Sequence, residues 1–329
     1  MVTIEDLLKA KQRIDPYIHQ TPVLSSSLLN NWLGHEIYFK AECLQKIGAF
    51  KARGACNAIA WLKENNIPVK LIVANSSGNH AQAVSWAASQ FGYPSTIYMP
   101  AYTSKVKVQA TVAYGAKAVL CETRTMVDEQ VKQAAAEKDT HWIHPFNHEH
   151  VIAGQGTATM EAINKLGDVD AVFAPCGGGG LLSGTLIATH ALCPKAKMIG
   201  TEPLNANDAA QSLRMNSIQS LHGAPETLAD GAMTPAVGEL TFEYLKQLDD
   251  MYEIEEQHII YWAQWLAHLL KVRVEPTSAL AMEGARKWLS SQSEKKKVLI
   301  ILSGGNIDQN SELKIWKENC LDRLPELYR

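Results

Sequence analysis

The chain has 329 residues, 46% of them hydrophobic, and a formal net charge of −3. That length holds two lobes or one large α/β unit with buried cores, and the mild acidity without a long basic run argues against nucleic acid or an anionic membrane as partner. The six cysteines form no C-x-x-C pair, and several fall inside apolar runs, as buried thiols in a reducing cytosol do.

The amino terminus, Met1-Val2-Thr3-Ile4-Glu5-Asp6, is acidic and amphipathic rather than basic and then apolar, so a cytoplasmic location is expected instead of export. In chain order, β-rich runs at 37–40, 71–74, 95–99, 118–120, 171–174, 198–200 and 298–302 alternate with helical periods. Such alternation predicts parallel strands with crossover helices on both faces. The apolar stretch 259–270 is interrupted by Gln264 and His268 and is shorter than a membrane span, so it reads as a core helix. Lys295-Lys296-Lys297 reads as a solvated loop before a strand. Residues 71–147 hold three or four β-α units and are expected to form a small domain inserted between 1–70 and 148–329, which together form the large one. A ligand cleft is expected between them.

Several strand runs end in Gly, Ser or Asn just before a helix: Asn75-Ser76-Ser77-Gly78-Asn79, Cys176-Gly177-Gly178-Gly179-Gly180 and Ser303-Gly304-Gly305-Asn306. In open α/β sheets ligands bind at the carboxyl ends of strands, so three such loops can converge on one crevice. Four consecutive glycines let backbone N–H groups crowd around an anion at a helix amino terminus, which points to phosphate. A dinucleotide fingerprint fails because Leu182 or Ser183 stands where its third glycine belongs, and no Gly-Lys-Ser/Thr follows for a nucleoside triphosphate. A phosphorylated cofactor remains. Lys51, between a small-residue turn and a helical run, has an amine able to form an imine with an aldehyde, and burial beside Phe50 would lower its pKa.

Taken in order, Phe50-Lys51-x-Arg53-Gly54-Ala55, Ser76-Ser77-Gly78-Asn79-His80, Gly177 to Gly180 and Ser303-Gly304-Gly305-Asn306 resemble the fold-type II pyridoxal-phosphate enzymes, in particular the branch of serine racemase and the serine/threonine dehydratases. Connecting stretches are similar too: His19-Gln20-Thr21-Pro22-Val23-Leu24, residues 151–157 and Glu275-Pro276-Thr277. The resemblance spans nearly the whole chain. It implies two open, twisted, mostly parallel sheets with flanking helices and an active site between a large and a small domain. It also implies pyridoxal 5'-phosphate held as an imine on Lys51, with Phe50 beside the ring, Asn79 at the ring hydroxyl, Gly177, Gly178, Gly179 and Gly180 on the phosphate and Ser303 at the pyridine nitrogen. A serine hydroxyl there makes a milder electron sink than a carboxylate does, which suits elimination or racemisation.

By the same resemblance Lys51 and Ser77 are the two acid/base groups on opposite faces of the substrate, although a serine in this place is also a good helix cap. Ser76, Ser77, Asn79 and His80 would bind the substrate. Glu202, the Ala206 carbonyl and Asp208 match a divalent-cation loop suited to Mg²⁺, Ca²⁺ or Mn²⁺. Lys107, Tyr114 and Gln82 match positions that serve a nucleotide effector at a subunit interface, and a homodimer is expected.

Three positions depart from serine racemase: Ala49 where serine is usual, Asp128 where arginine is, and Phe146 where asparagine is. Phe146 is the dehydratase-like choice. The expected activity is therefore dehydration of L-serine or L-threonine to a 2-oxo acid and ammonia, with serine racemisation beside it. Serine or aspartate racemase and threo-3-hydroxyaspartate dehydratase are the alternatives, and a non-catalytic cofactor or amino-acid sensor is the reading from another class. His141, His144, His148 and His150 cluster in sequence, but Pro145 interrupts any helix that would set a zinc spacing, so a loop is expected there.

Overall fold

The computed structural model describes residues 1–221, 223 and 225–328. Among the described residues ten strands run β1 (Val23–Leu24), β2 (Glu36–Ala41), β3 (Leu71–Asn75), β4 (Ser95–Pro100), β5 (Lys117–Cys121), β6 (Thr140–Trp142), β7 (Ala171–Pro175), β8 (Lys197–Pro203), β9 (Asp250–Ile254) and β10 (Lys297–Leu302). They form two sheets, ordered β1-β2-β10-β7-β8-β9 and β5-β4-β3-β6. Every pairing is parallel except the short antiparallel β1–β2 edge. The four-stranded sheet draws only on 71–142, and the six-stranded one on strands before and after it.

The apolar run Val298-Leu299-Ile300-Ile301-Leu302 shows why a buried parallel strand loses the usual alternation. Val298, Ile300 and Leu302 enter a core with the helices Glu256–Leu270 and Pro276–Leu289, around fully buried Trp262. Leu299 and Ile301 enter the opposite core, with the helices Glu149–Leu166 and Gly180–Leu192. Both faces are covered, so both sets must be apolar. A third core joins the helices Lys51–Glu64 and Asn79–Phe91 to the smaller sheet.

Helix 149–166 is the spine between the layers, and glycines let it approach its neighbours. A Cβ on Gly154 would sit 2.6 Å from the Arg53 carbonyl oxygen, and one on Gly156 2.7 Å from that of Gly184. Backbone lies against backbone at both places, which no larger residue allows.

Parallel pairing puts the carboxyl ends of β2, β10, β7 and β8 along one edge in that spatial order. Lys51, Ser303, the glycine loop and Glu202 are the residues at or beyond those ends. Lys297 belongs to β10 itself, its Nζ donating to the Leu166 carbonyl, so the basic loop ends one residue earlier than the sequence suggested. All six cysteines are buried thiols, and no helix among the described residues is long and apolar enough to cross a membrane.

Candidate active site

Lys51 opens the helix Lys51–Glu64 at the end of the β2 connection. The turn before it is stitched to the end of β10: the Phe50 N–H donates to the Ser303 carbonyl at 3.0 Å, and Ala49 bridges to Gly304. Two motifs 252 positions apart in sequence thus share one backbone junction. Lys51 Nζ donates to the Pro145 carbonyl at 2.7 Å and lies 5.2 Å from the Phe50 ring centre. Burial lowers its pKa to about 8, while the negative charge of Glu275 works against that fall.

Across from it, the loop after β3 leads into the helix Asn79–Phe91. The helix is capped by Gly78 without a side-chain bond; Ser76 Oγ accepts the Gly78 N–H, and Ser77 makes no such bond. The capping reading of Ser77 therefore falls, and its hydroxyl has no hydrogen-bond partner among the described residues. The first N–H groups of this helix have no acceptor one turn back among the described residues, so they are open to an anion. His80 is buried, one ring nitrogen bonded to the Ile143 carbonyl at 2.7 Å and the other without a partner. Its side chain is thus a neutral core histidine, held well below the ordinary pKa by burial and then by Lys51.

Glu275, quoted from the sequence without a role, joins the two sides. Its carboxylate accepts from Asn79 Nδ2 at 3.1 Å and from Ser303 Oγ at 3.2 Å, and Asn306 Nδ2 donates to Asn79 Oδ1 at 2.8 Å. Ser278 Oγ lies 3.0 Å from Ser303 Oγ. Burial, followed by the nearby charge of Asp230, raises Glu275 to about 7, so it exchanges a proton near neutrality.

The glycine loop follows β7. The N–H groups from Gly177 through Leu182 have no acceptor among the described residues, and they cluster where the helix Gly180–Leu192 begins. Gly179 has φ +91°, a conformation that L side chains rarely adopt, and a Cβ on Gly178 would strike the Phe146 ring at 2.2 Å. Thr241 Oγ1 donates to the Gly178 carbonyl at 2.7 Å and fixes the loop from outside.

Unpartnered amide donors at a helix start, a half-buried amine at the start of a second helix and polar groups on the third side fit a phosphorylated aldehyde. A family model described as pyridoxal-phosphate dependent enzyme matches residues 14–304. The chain belongs to that pyridoxal-phosphate dependent family. Among its relatives, the L-threo-3-hydroxyaspartate ammonia-lyase of Saccharomyces cerevisiae is 44% identical over 93% of this chain and 94% of its own length. The L-threonine ammonia-lyase of Thermotoga maritima is 40% identical over 94% and 77%. The solved serine racemase of Dictyostelium discoideum superposes with a TM-score of 0.87 at 40% identity, covering 93% of this chain and 99% of that one. This pyridoxal-phosphate dependent enzyme therefore has the fold-type II architecture expected from its motifs.

The other expected sites fall as follows. Glu202, at the end of β8, is 1% exposed and accepts the N–H groups of Ala209 and Ala210 at 3.2 and 2.6 Å. Asp208 is equally buried and its Oδ2 has no hydrogen-bond partner among the described residues. Burial pushes Glu202 far up and Asp208 to about 7. With Ala206 in the 3₁₀ turn Leu204–Ala206 between them, the loop is short of a positive charge, which suits a cation. Asp128 accepts from Asn75 Nδ2 at 2.7 Å and lies 3.5 Å from Arg124, so its carboxylate braces the strand end before Ser76. Lys107 pairs with Asp230 at 2.9 Å, Tyr114 ends the helix Lys105–Ala113, and Gln82 is buried on the helix packed against it.

The four histidines do not form one loop: His141 is in β6, His148 caps the helix 149–166 and His150 lies within it. No group of three or more His, Cys, Asp or Glu among the described residues could hold a metal. His144 Nδ1 accepts the Asn147 N–H at 2.9 Å, which assigns the proton of the neutral ring to Nε2. Burial brings His144 and His148 each down to about 4. Since an unfolded histidine titrates near 6.5, stability is full above about pH 6.5 and drains as pH falls toward 4, where the unfolded chain holds more protons. Replacing His148 by Asn, itself a good cap, is expected to reduce the slope of unfolding free energy in that window by up to about one proton. Urea titrations at successive pH values measure it, and an unchanged slope would contradict the burial account.

Proposed function

We propose that this chain is a hydroxy amino acid ammonia-lyase that converts L-serine or L-threonine to a 2-oxo acid and ammonia and also racemises serine. The observation that supports this most is the convergence of a neutralisable, half-buried amine, Lys51, with the Asn79–Glu275–Ser303 chain and the unpartnered glycine-loop amides. The known activities of relatives at 40% and 44% identity agree with it.

In this reading Gly177 to Gly180 hold the cofactor phosphate, Phe50 lies beside its ring, Asn79 bonds its hydroxyl and Ser303 meets its pyridine nitrogen. Bound there, pyridoxal phosphate supplies an aldehyde for the lysine and a ring that draws electrons from the substrate Cα. The helix start at Ser76, Ser77, Asn79 and His80 takes the substrate carboxylate through backbone N–H groups and the Ser76 and Ser77 hydroxyls. Lys51 removes the Cα proton from one face, which its lowered pKa permits near neutrality. Ser77, with its free hydroxyl, returns a proton to the other face, giving the D-amino acid. Glu275 sets the charge felt by both Asn79 and Ser303. Phe146, packed on the glycine loop, keeps water from that wall.

L-threo-3-hydroxyaspartate belongs in the substrate panel because a relative at 44% identity acts on it. Pyruvate, 2-oxobutanoate and D-serine, assayed separately on L-serine and L-threonine, test the proposal. Ser77→Ala is expected to lose at least about 100-fold in D-serine formation, the low end of the range for a general acid/base, while retaining most elimination. Equal loss of both, or no product from any of the three substrates in the wild type, would count against it.

We also propose that Glu202, the Ala206 carbonyl and Asp208 bind a divalent cation. The orphaned Asp208 oxygen and the two raised carboxyl pKa values support this. A chelator is expected to lower the melting temperature by several degrees, with Mg²⁺, Ca²⁺ or Mn²⁺ restoring it, and more so above pH 7 where Asp208 ionises. Glu202→Gln should abolish that response; a chelator-insensitive wild type would rule the site out. Residues 71–147 as a small domain beside 1–70 and 148–329, a homodimeric assembly, a cytoplasmic setting and a nucleotide effector near Lys107, Tyr114 and Gln82 complete the reading.

A further inference from the structure

Beneath the Lys51 turn lies a cluster of four buried charges that the chemistry above does not use. Arg53 is fully buried and forks onto two carboxylates. Its Nε and Nη2 donate to Glu42 at 2.7 and 2.9 Å, and its Nη1 and Nη2 to Glu161 at 2.7 and 2.8 Å. Nη1 also donates to Thr157 Oγ1 at 3.1 Å. Lys40 Nζ completes the cage, donating to Glu161 at 2.6 Å and to the Thr21 carbonyl at 2.8 Å.

Stability alone is a poor reason for this arrangement. Removing four charges from water is expensive, and well-packed apolar groups usually serve a core as well or better. Arg53 is moreover the third residue of the helix Lys51–Glu64, where the helix dipole opposes a positive charge. What two forked bonds do supply is fixed position and orientation, since each matches a planar donor pair to a planar acceptor pair.

The placement shows what is being fixed. Two residues along a helix turn by about 200°, so Arg53 points into the core while Lys51 points the opposite way, toward the site. The helix start itself has no side-chain cap at Phe50. Glu42 sits just past β2, and Glu161 lies on the helix 149–166, whose preceding residues include Pro145, the acceptor of the Lys51 amine, and Phe146, the cover of the glycine loop.

We infer that Arg53 is a positioning residue: clamped by Glu42 and Glu161 with Lys40 as counter-cation, it holds the turn bearing Lys51 at a set distance from the Pro145–Phe146 wall, and so aims the amine. The inference rests on Lys51 being the cofactor lysine.

The test uses holoenzymes of Arg53→Met, Arg53→Lys and Glu161→Gln, comparing kcat and KM on L-serine, the pH midpoint of the lysine-bound cofactor absorbance, and melting temperature. Misplacing a reacting group by about 1 Å costs on the order of 100-fold in rate, so Arg53→Met should lose about that in kcat with KM changed far less, and its absorbance midpoint should move measurably from the wild-type value. Arg53→Lys keeps the charge without the fork and should recover only a minor part. Glu161→Gln, which keeps the shape and loses one charge, should show the same effects in weaker form and decides the matter if Arg53→Met does not fold.

A folded Arg53→Met or Glu161→Gln enzyme with wild-type kcat and midpoint would overturn the inference. So would losses that follow the melting temperature alone. If instead the wild type shows no lysine-bound absorbance, it is the role of Lys51 that fails.

Discussion

An amine that is to act as nucleophile and base near neutral pH must be able to shed its proton, and removal from water is the force that allows this. Lys51 is subject to that force, and Glu275 limits it, so the amine settles at about 8 rather than collapsing further. Glu275 is itself raised to about 7 by burial and the charge of Asp230, which keeps its opposition partial. Burial and a neighbouring carboxylate thus set the charge of the amine, and the same carboxylate anchors the polar chain from Asn306 through Asn79 and Glu275 to Ser303.

The sheet makes this balance possible. Because β2, β10 and β7 are parallel neighbours, their loops emerge side by side, and a lysine, a serine and a run of glycines distant in sequence meet without a long connecting segment. The glycines contribute by absence. Their lack of side chains lets Phe146 and the Asp230–Ala232 turn close over the loop from two sides while its amides stay unpaired. An anion held by such amides requires no further positive side chain, which frees Lys51 for proton transfer.

Much of the fold was legible because a parallel sheet buried on both faces writes itself as apolar runs, and the seven longest-reading runs all became strands. The strands that escaped notice explain themselves. Val23–Leu24 and Thr140–Trp142 are too short to show a period, and Asp250–Ile254 is an edge strand carrying Asp250 and Glu253 among its five residues. In the site, Lys51 and the glycine loop carry local chemical signatures. Glu275 and Arg53 do not: a carboxylate matters here for being sealed between Asn79 and Ser303, and a guanidinium for being sealed between Glu42 and Glu161, relations that only the folded chain creates. Ser77 is intermediate. Its residue type allowed a cap or an acid/base group, and the turn at Gly78 removes the first option.

The most direct measurement is mass spectrometry of peptides from the native protein after borohydride reduction. A phosphopyridoxyl adduct is expected on the peptide containing Lys51 and on no other lysine, accompanied by loss of activity. An unmodified Lys51 peptide from active protein, or an adduct carried elsewhere, would contradict it.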